Sequence, residues 1–564
     1  MTTIRVATTQ YNTGNDVQAN LEKLLGFIDQ AAAGGAQLVV TPEFGNHTSF
    51  YQGPEHCWEI AIDPKGDYVQ AIKDRAREKK IHVVFNATCR GAEKPKAFIV
   101  NFLISDEGEL IGINQKQTLM GGEAENLSPA EIAGAVFDTK IGRIGMMSCL
   151  DGVPPETARN LAVLGAQLIT NSHNSCALDE PYLHIPVRAA ENRAWVAASG
   201  KVGTVCIPEM VGPLCDMVGI PEHLVVALGE NPILDPNGDV VEQLPCNEEG
   251  IIFADIDMSL ADDKSWADGD LMADRRPPMY AAVTQPPVAF ASDSVEPYLG
   301  SVINVRSDRY FEENCNRAID LLVDAADNGS RLVVLPELCT LSPAEVAKDP
   351  AAALAKSRQF EAMLAKACKT AGVYACTSLV TEANGKLHHT GILIDDAGSR
   401  IFAAHQTHLP RSYKAWAEAG SVLETVDTPL GRIGIMIGYE ALFPEVATVL
   451  ARQGAEVVLH PTHWEFDWEV RLAIPERAAE NRITLLSAAR SDGSVRRGGL
   501  INSLSVSNPL RARDLNPIWP VEAPFDRECH ISAMIYPERS RNKDLIGFDL
   551  QHGRRIELYS ALVE

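Results

Sequence analysis

Apolar positions along this chain switch between a period of two and a period near 3.6 residues. Ile4–Thr9 reads as a strand, and Val17–Ala33 carries the spacing of an amphipathic helix. Gln37–Val40 follows as a strand and Tyr68–Lys79 as a helix. Ile81–Ala87, Phe98–Ile104 and Gly108–Asn114 read as strands. The apolar run Ile144–Met147 ends abruptly at Cys149, and Asp151, Gly152, Pro154 and Pro155 come next. Ala158, Leu161, Ala162 and Gly165 then keep the i, i+3, i+4, i+7 spacing of a helix. Proline near its start is tolerated because its missing N–H is an orphan there anyway. Gln167–Thr170 is a strand, Pro186–Asn192 a helix and Trp195–Ala198 a strand. Such alternation predicts an α/β fold with helices covering the sheets. Residues 203–250 are rich in Pro and Gly, show no clear period, and read as a longer loop over the strand ends.

The pattern then repeats. Gly142-Arg143-Ile144-Gly145 recurs as Gly431-Arg432-Ile433-Gly434, and Ala189-Ala190-Glu191-Asn192-Arg193 as Ala478-Ala479-Glu480-Asn481-Arg482, both offset by 289 positions. Leu38-Val39-Val40-Thr41-Pro42-Glu43 recurs as Leu332-Val333-Val334-Leu335-Pro336-Glu337, offset by 294. Periods this long indicate two whole domains in tandem, not a solenoid. The expected division is a first domain over 1–284, a Pro-containing linker over 285–297 and a second domain over 298–564.

Composition narrows the function. Hydrophobic content of 46% and charged content of 22% suit globular domains with large cores. A net charge of −25 argues against nucleic acid or an anionic membrane surface as partner. No 18-residue apolar run marks a membrane span, and Met1–Thr8 reads as the start of a strand, not as a signal peptide. The twelve cysteines show no CxxC pairing, as expected of reduced thiols in the cytoplasm.

Three residues each follow an apolar strand, where loops of α/β folds gather to form sites: Glu43, Lys116 and Cys149. A carboxylate near a thiol can take its proton, and a lysine can hold the oxyanion formed when a thiolate attacks a carbonyl. A cysteine on a strand-to-helix turn, facing the positive end of the helix, is expected to have a lowered pKa. Taken singly, each has a plain alternative: a buried apolar cysteine, a surface acid, a solvated lysine.

Together the three resemble the carbon–nitrogen hydrolase (nitrilase) superfamily, whose signature is a Glu-Lys-Cys triad in three separated motifs. Pro42-Glu43-Phe44, Lys116-Gln117-Thr118-Leu119 and Cys149-Leu150-Asp151-Gly152-Val153-Pro154-Pro155-Glu156 look like those motifs, in family order. The resemblance implies an α-β-β-α sandwich for each domain and no metal or organic cofactor. It also implies a second glutamate soon after the lysine, for which Glu123 is favoured over Glu125. The cysteine motif resembles that of amidases more than that of true nitrilases, and 194–203 resembles N-carbamoyl-D-amino-acid hydrolases. Asn171, His173 and Asn174 follow the next strand and are candidate substrate-binding residues. The implied reaction is ammonia release from a small-molecule amide or carbamoyl substrate through a thioester-type intermediate. Nitrile hydrolysis or acyl transfer by the same triad is the alternative, and a non-catalytic binding or assembly protein the alternative of another class.

The second half departs from the motifs. Gly438 stands opposite Cys149, and His405 or Gln406 opposite Lys116; only Glu337 remains. The second domain is therefore expected to be inactive. Its expected role is that of a permanent partner in an intramolecular pseudo-dimer, with further homo-oligomerisation left open. Six histidines lie between 388 and 463, and His405, His460 and His463 are expected near the degenerate pocket. Drifted polar residues explain them better than a metal site.

Overall fold

The computed structural model describes residues 3–175, 179–205, 208–218, 221–224, 226–266, 268–290, 294–503, 520–545 and 547–564. Residues 291–293 of the expected linker and 206–207, 219–220 and 225 of the expected loop lie outside these. The helix α1 (Val17–Ala33) follows β1 (Thr3–Gln10) and starts at Asp16, whose carboxylate accepts the Gln18 and Ala19 N–H groups. Its Leu21, Leu24, Phe27, Ile28 and Ala31 are buried, which is the apolar stripe seen in the sequence. Next come β2 (Leu38–Val40), α2 (Pro54–Ile60), α3 (Asp67–Lys79), β3 (His82–Arg90), β4 (Ala97–Ile104) and β5 (Leu110–Gln115). The chain continues with α4 (Gly121–Ala124), β6 (Val136–Thr139), β7 (Gly142–Ser148), α5 (Pro155–Val163), β8 (Leu168–His173), α6 (Ile185–Asn192) and β9 (Trp195–Gly200).

Residues 203–250 are not a plain loop. They hold part of β10 (Val202–Thr204), then α7 (Pro208–Val218), β11 (Val226–Leu228), β12 (Pro232–Leu234) and β13 (Val240–Gln243), before β14 (Gly250–Asp257). Pro213 inside the helix and strands of three or four residues are too short and irregular to show a period.

One layer of the first half runs β5-β4-β3-β2-β1 with β14 on the edge. The other runs β6-β7-β8-β9 and continues through β12 to β13. The layers join at a single pair, Gln10–Gly200. Ile4, Val6, Leu38, Ile144, Leu168 and Trp195 fill the space between them. On one outer face α1 and α3 bury Leu24, Ile28 and Ile72 against Val83 and Phe85. On the other, α5 and α6 bury Ala158, Leu161 and Ala189 against Ile169 and Val196. The second half repeats this with two six-stranded sheets. Both halves are α-β-β-α sandwiches in tandem.

Contact between the halves is made by α5 and α6 on one side and the helices Pro444–Arg452 and Ile474–Asn481 on the other. At its centre lies a fully buried ion cluster. Arg188 bonds Glu191 at 2.5 Å, Glu480 at 2.7 Å, and Glu476. Arg477 bonds Glu191 and Glu480. Around it each half passes a strap onto the other. Arg275 pairs with Glu445 at 3.0 Å, and Arg554 with Glu156 at 2.5 Å. Leu545, Phe548 and Leu550 from the C-terminal strap pack on Leu150 and Val153, beside Cys149.

Removing one member of a buried charge cluster leaves the others uncompensated. Arg477→Ala should therefore destabilise the protein by about 3–5 kcal/mol, read as a lower denaturation midpoint. An unchanged midpoint would contradict the cluster's role.

Candidate active site

Glu43 lies three residues past β2, Lys116 directly follows β5, and Cys149 directly follows β7. All three are buried. The Lys116 backbone is fixed on both sides: its N–H donates to Ile99 O at 2.9 Å, and its carbonyl accepts the Ala130 N–H at 2.9 Å. Its Nζ donates to Glu43 Oε1 at 2.8 Å and to both oxygens of Glu123 at 2.9 Å. Glu123 sits on the single turn α4, where its Oε2 also accepts the Met120 N–H at 3.0 Å. Glu125, the other candidate, caps that turn on the solvent side and is not joined to Lys116.

Asp151 ties the lysine loop to the cysteine loop. Its Oδ1 accepts from the N–H groups of Gln117 and Thr118 at 3.0 and 2.9 Å, and its Oδ2 from Ser148 N–H at 3.2 Å. Asn86 does the same for the glutamate loop. It accepts the Phe44 N–H at 3.0 Å and donates to Ser148 Oγ at 3.0 Å. Arg188, the cation at the centre of the interface, donates to the carbonyls of Gly152 and Val153 at 2.8 and 2.6 Å. The turn after Cys149 is thereby fastened to both neighbouring loops and to the second half.

Cys149 has φ of 46°, a left-handed value that holds the thiol off the strand axis. Its N–H donates to Asn171 Oδ1 at 2.8 Å, and its Sγ lies 3.9 Å from Asn174 O. Asn171 and Asn174 thus flank the thiol. His173 does not reach it. Its ring lies in the wall against Gly200, where a Cβ would approach His173 Cε1 to 2.6 Å, so glycine is required there.

The electrostatics correct one expectation. The Cys149 thiol is not acidified. Burial pushes it well above the usual thiol range, and Glu43 and Glu180 add to the effect. The helix α5 begins six residues on, beyond a separate 3₁₀ turn at Cys149–Gly152, so the thiol does not sit at its first residue. Burial also raises Glu43, to about 8, against the pull of Lys116. Burial opposes the Lys116 charge, but Glu123 and Glu43 hold the ammonium well above its ordinary value. Glu43 shares Lys116 with a glutamate that takes the larger part of it, and Glu43 Oε2 is buried without a partner among the described residues. A carboxyl poised near neutrality with a free lone pair can pass a proton either way.

Sequence reasoning assigned no role to Asp151, Asn86 or Lys201. Lys201 is 3% exposed, beside Phe44, and burial lowers it to about 7 with Glu43 partly opposing. Its signals are its place directly after the strand Trp195–Gly200 and within the 194–203 stretch that resembles N-carbamoyl-D-amino-acid hydrolases.

In the second half, Gln406 holds the place of Lys116: its N–H donates to His389 O at 2.8 Å and its carbonyl accepts the Gly420 N–H at 2.8 Å. His405 instead ends a strand, bonds Thr390 Oγ1 at 2.7 Å and stacks on His388, away from the pocket. Tyr413 takes the place of Glu123 and donates to Glu337 Oε1 at 2.8 Å. Burial would raise Glu337, but His463, His389 and Tyr413 hold it at about 2. His463 itself is raised to about 10. His460 accompanies the Gly438 carbonyl at 3.1 Å. Among the described residues no group of three His, Cys, Asp or Glu side chains is arranged to hold a metal ion.

Gly438 keeps the left-handed φ of 42°, but a Cβ there would lie 2.3 Å from Glu337 Oε2. The carboxylate has taken the room that a nucleophile's side chain needs. Gly438→Ala should cost about 1–3 kcal/mol from backbone strain alone, plus the displacement of Glu337. A stability equal to the parent, by chemical denaturation, would contradict this.

The carbon-nitrogen hydrolase family model matches residues 5–264 and 301–508. Nitrilase from Pyrococcus abyssi is 29% identical over 267 residues, covering 46% of this chain and 92% of its own. Deaminated glutathione amidase from Mus musculus is 28% identical, covering 38% and 72%. Citrullinase from Francisella tularensis is 24% identical, covering 50% and 99%. Among solved structures, the NitN amidase from Neterenkonia sp. AN1 is 24% identical, covers 46% of this chain and 96% of its own, and has a TM-score of 0.38. Among the described residues no helix is long and apolar enough to cross a membrane. With the family model spanning most of both halves, this chain belongs to the carbon-nitrogen hydrolase family.

Proposed function

We propose that the first half hydrolyses a linear C–N bond in a small amide or N-carbamoyl compound and releases ammonia, with Cys149 as nucleophile. The observation that carries this reading is the buried Lys116 bridging Glu43 and Glu123, with the second Glu43 oxygen buried and unpartnered among the described residues. An amidase and a citrullinase among the relatives support the substrate class.

In the proposed sequence the Cys149 Sγ–H proton passes to Glu43 as sulfur attacks the carbonyl carbon. The raised thiol means that the resting site holds it neutral and ionises it only during attack. Lys116 and backbone N–H groups stabilise the oxyanion. Glu43 returns the proton to the nitrogen, the C–N bond breaks, and ammonia leaves a thioester. Water then gives a proton to Glu43 and attacks the same carbon; Glu43 returns that proton to Sγ as the C–S bond breaks, which releases the acid and restores the thiol. Glu123 keeps Lys116 charged and oriented throughout.

The second half, with Gly438, Gln406 and a displaced Glu337, is proposed to be inactive. Its role is that of a built-in dimer partner: Glu476 and Glu480 hold Arg188, which supports the turn after Cys149. Ten cysteines among the described residues are free thiols, and the cytoplasm is the proposed compartment.

Purified protein should release ammonia from small amides, N-carbamoyl amino acids or ureas, and Cys149→Ala should abolish it. Release that survives this change would overturn the reading, and so would none with any of these compounds. Because Glu43 must be ionised to accept the thiol proton, kcat/KM should rise with pH through about 8. An acid limb near 4–5 would contradict that assignment. Residues 1–284 expressed alone should aggregate or lose activity. A stable, fully active monomer would rule out the partner role.

A further inference from the structure

Two buried lysines face the Phe44 ring, and they differ in how well they are satisfied. Lys116 Nζ lies 6.0 Å from the ring centroid and Lys201 Nζ 5.4 Å. Lys116 spends its charge on three carboxylate oxygens at 2.8–2.9 Å. Lys201 has three N–H donors and, among the described residues, one acceptor, His47 O at 3.5 Å. That length is beyond the ordinary range. No carboxylate among the described residues comes within ion-pair distance of it. An ammonium buried this way costs stability unless something pairs with it.

Its place in the fold says what that partner is. Lys201 directly follows β9, and its N–H donates to His173 O at 3.2 Å, at the end of the neighbouring β8. The next residue along that wall is Asn174, whose carbonyl lies 3.9 Å from Cys149 Sγ and whose Oδ1 has no partner among the described residues. Asn174 Nδ2 reaches Ser49 at 3.3 Å, on the 44–51 loop that also carries His47. Lys201 and Asn174, the residue beside the thiol, thus stand at the ends of neighbouring strands.

We propose that Lys201 docks a carboxylate of the substrate, so that the bond cleaved by Cys149 belongs to an amide or carbamoyl compound that also carries an acid group. This rests on the hydrolase reading given above. The anion supplies the missing ion pair and holds the ammonium protonated, reversing the effect of burial. The charge lies on the protein and the substrate before and after the reaction, so Lys201 is a specificity residue and takes no part in bond making.

The test compares malonamate, succinamate and glutaramate with neutral amides carrying a methyl group in place of the carboxylate, in the parent protein, Lys201→Gln and Lys201→Arg. The parent should prefer at least one acid. Lys201→Gln should lose about 10- to 100-fold of kcat/KM on that acid relative to its neutral counterpart, mainly through KM, as expected for one charge-assisted contact. Lys201→Arg should recover part of it. A parent that prefers neutral amides would overturn the proposal, as would a Lys201→Gln variant that loses both substrates alike. Calorimetric binding of the same acids to Cys149→Ala protein reads docking without turnover. Binding that weakens at least tenfold when Lys201→Gln is added supports the proposal, and binding that stays equal or is absent throughout overturns it. If the parent hydrolyses nothing, the hydrolase reading falls, while the calorimetry still judges Lys201.

Discussion

One ammonium, that of Lys116, holds the first site together. Two carboxylates buried side by side would repel each other and go neutral. Lys116 between them keeps both in place, and the loops that carry them must follow. Asp151 and Asn86 then fasten those loops to the turn bearing Cys149. The result is an uneven division of charge: Glu123 takes two contacts with the ammonium and Glu43 one. Burial raises Glu43 to about 8, and its single contact with Lys116 offsets that only in part.

The second half shows what happens when the ammonium is lost. With Gln406 at that place, Glu337 turns to Tyr413 and the histidines and enters the space that a side chain at Gly438 would need. The interface, by contrast, keeps its charges. Arg188 and Arg477 bind carboxylates across it, and Glu476, opposite Val187 in the repeat, strengthens the pairing on the side of Cys149 alone. Arg188 reaches the Gly152 and Val153 carbonyls, whereas Arg477 Nε has no partner among the described residues. The two halves have thus diverged in their sites while the contact between them has become one-sided.

The fold was legible because its elements are long and periodic. Val17–Ala33 is observed at the bounds its apolar spacing gives, and the offset of 289 positions revealed the tandem. The short strands between 226 and 243 were not legible, since three or four residues carry no period. Motif order brought out Glu43, Lys116 and Cys149, and the structure gathers Glu43 and Lys116 into one ion cluster. Electrostatics was the part that sequence could not supply. A strand-to-helix turn suggested an acidified thiol, but the site's burial and its neighbouring carboxylates decide the sign. Whether His405 or Gln406 stands for Lys116 depended on a one-residue register, settled by the bonds to His389 and Gly420.

The central claim is that the buried, neutral Cys149 thiol forms a covalent acyl intermediate with Glu43 as its proton carrier. Acid quenching during turnover of a hydrolysed amide, followed by intact and peptide mass analysis, tests it most directly. The account predicts a mass increase equal to the acyl group, on the peptide containing Cys149, that disappears in Cys149→Ala and in Glu43→Gln protein. Turnover with no adduct at any time, or an adduct on another residue, would contradict it.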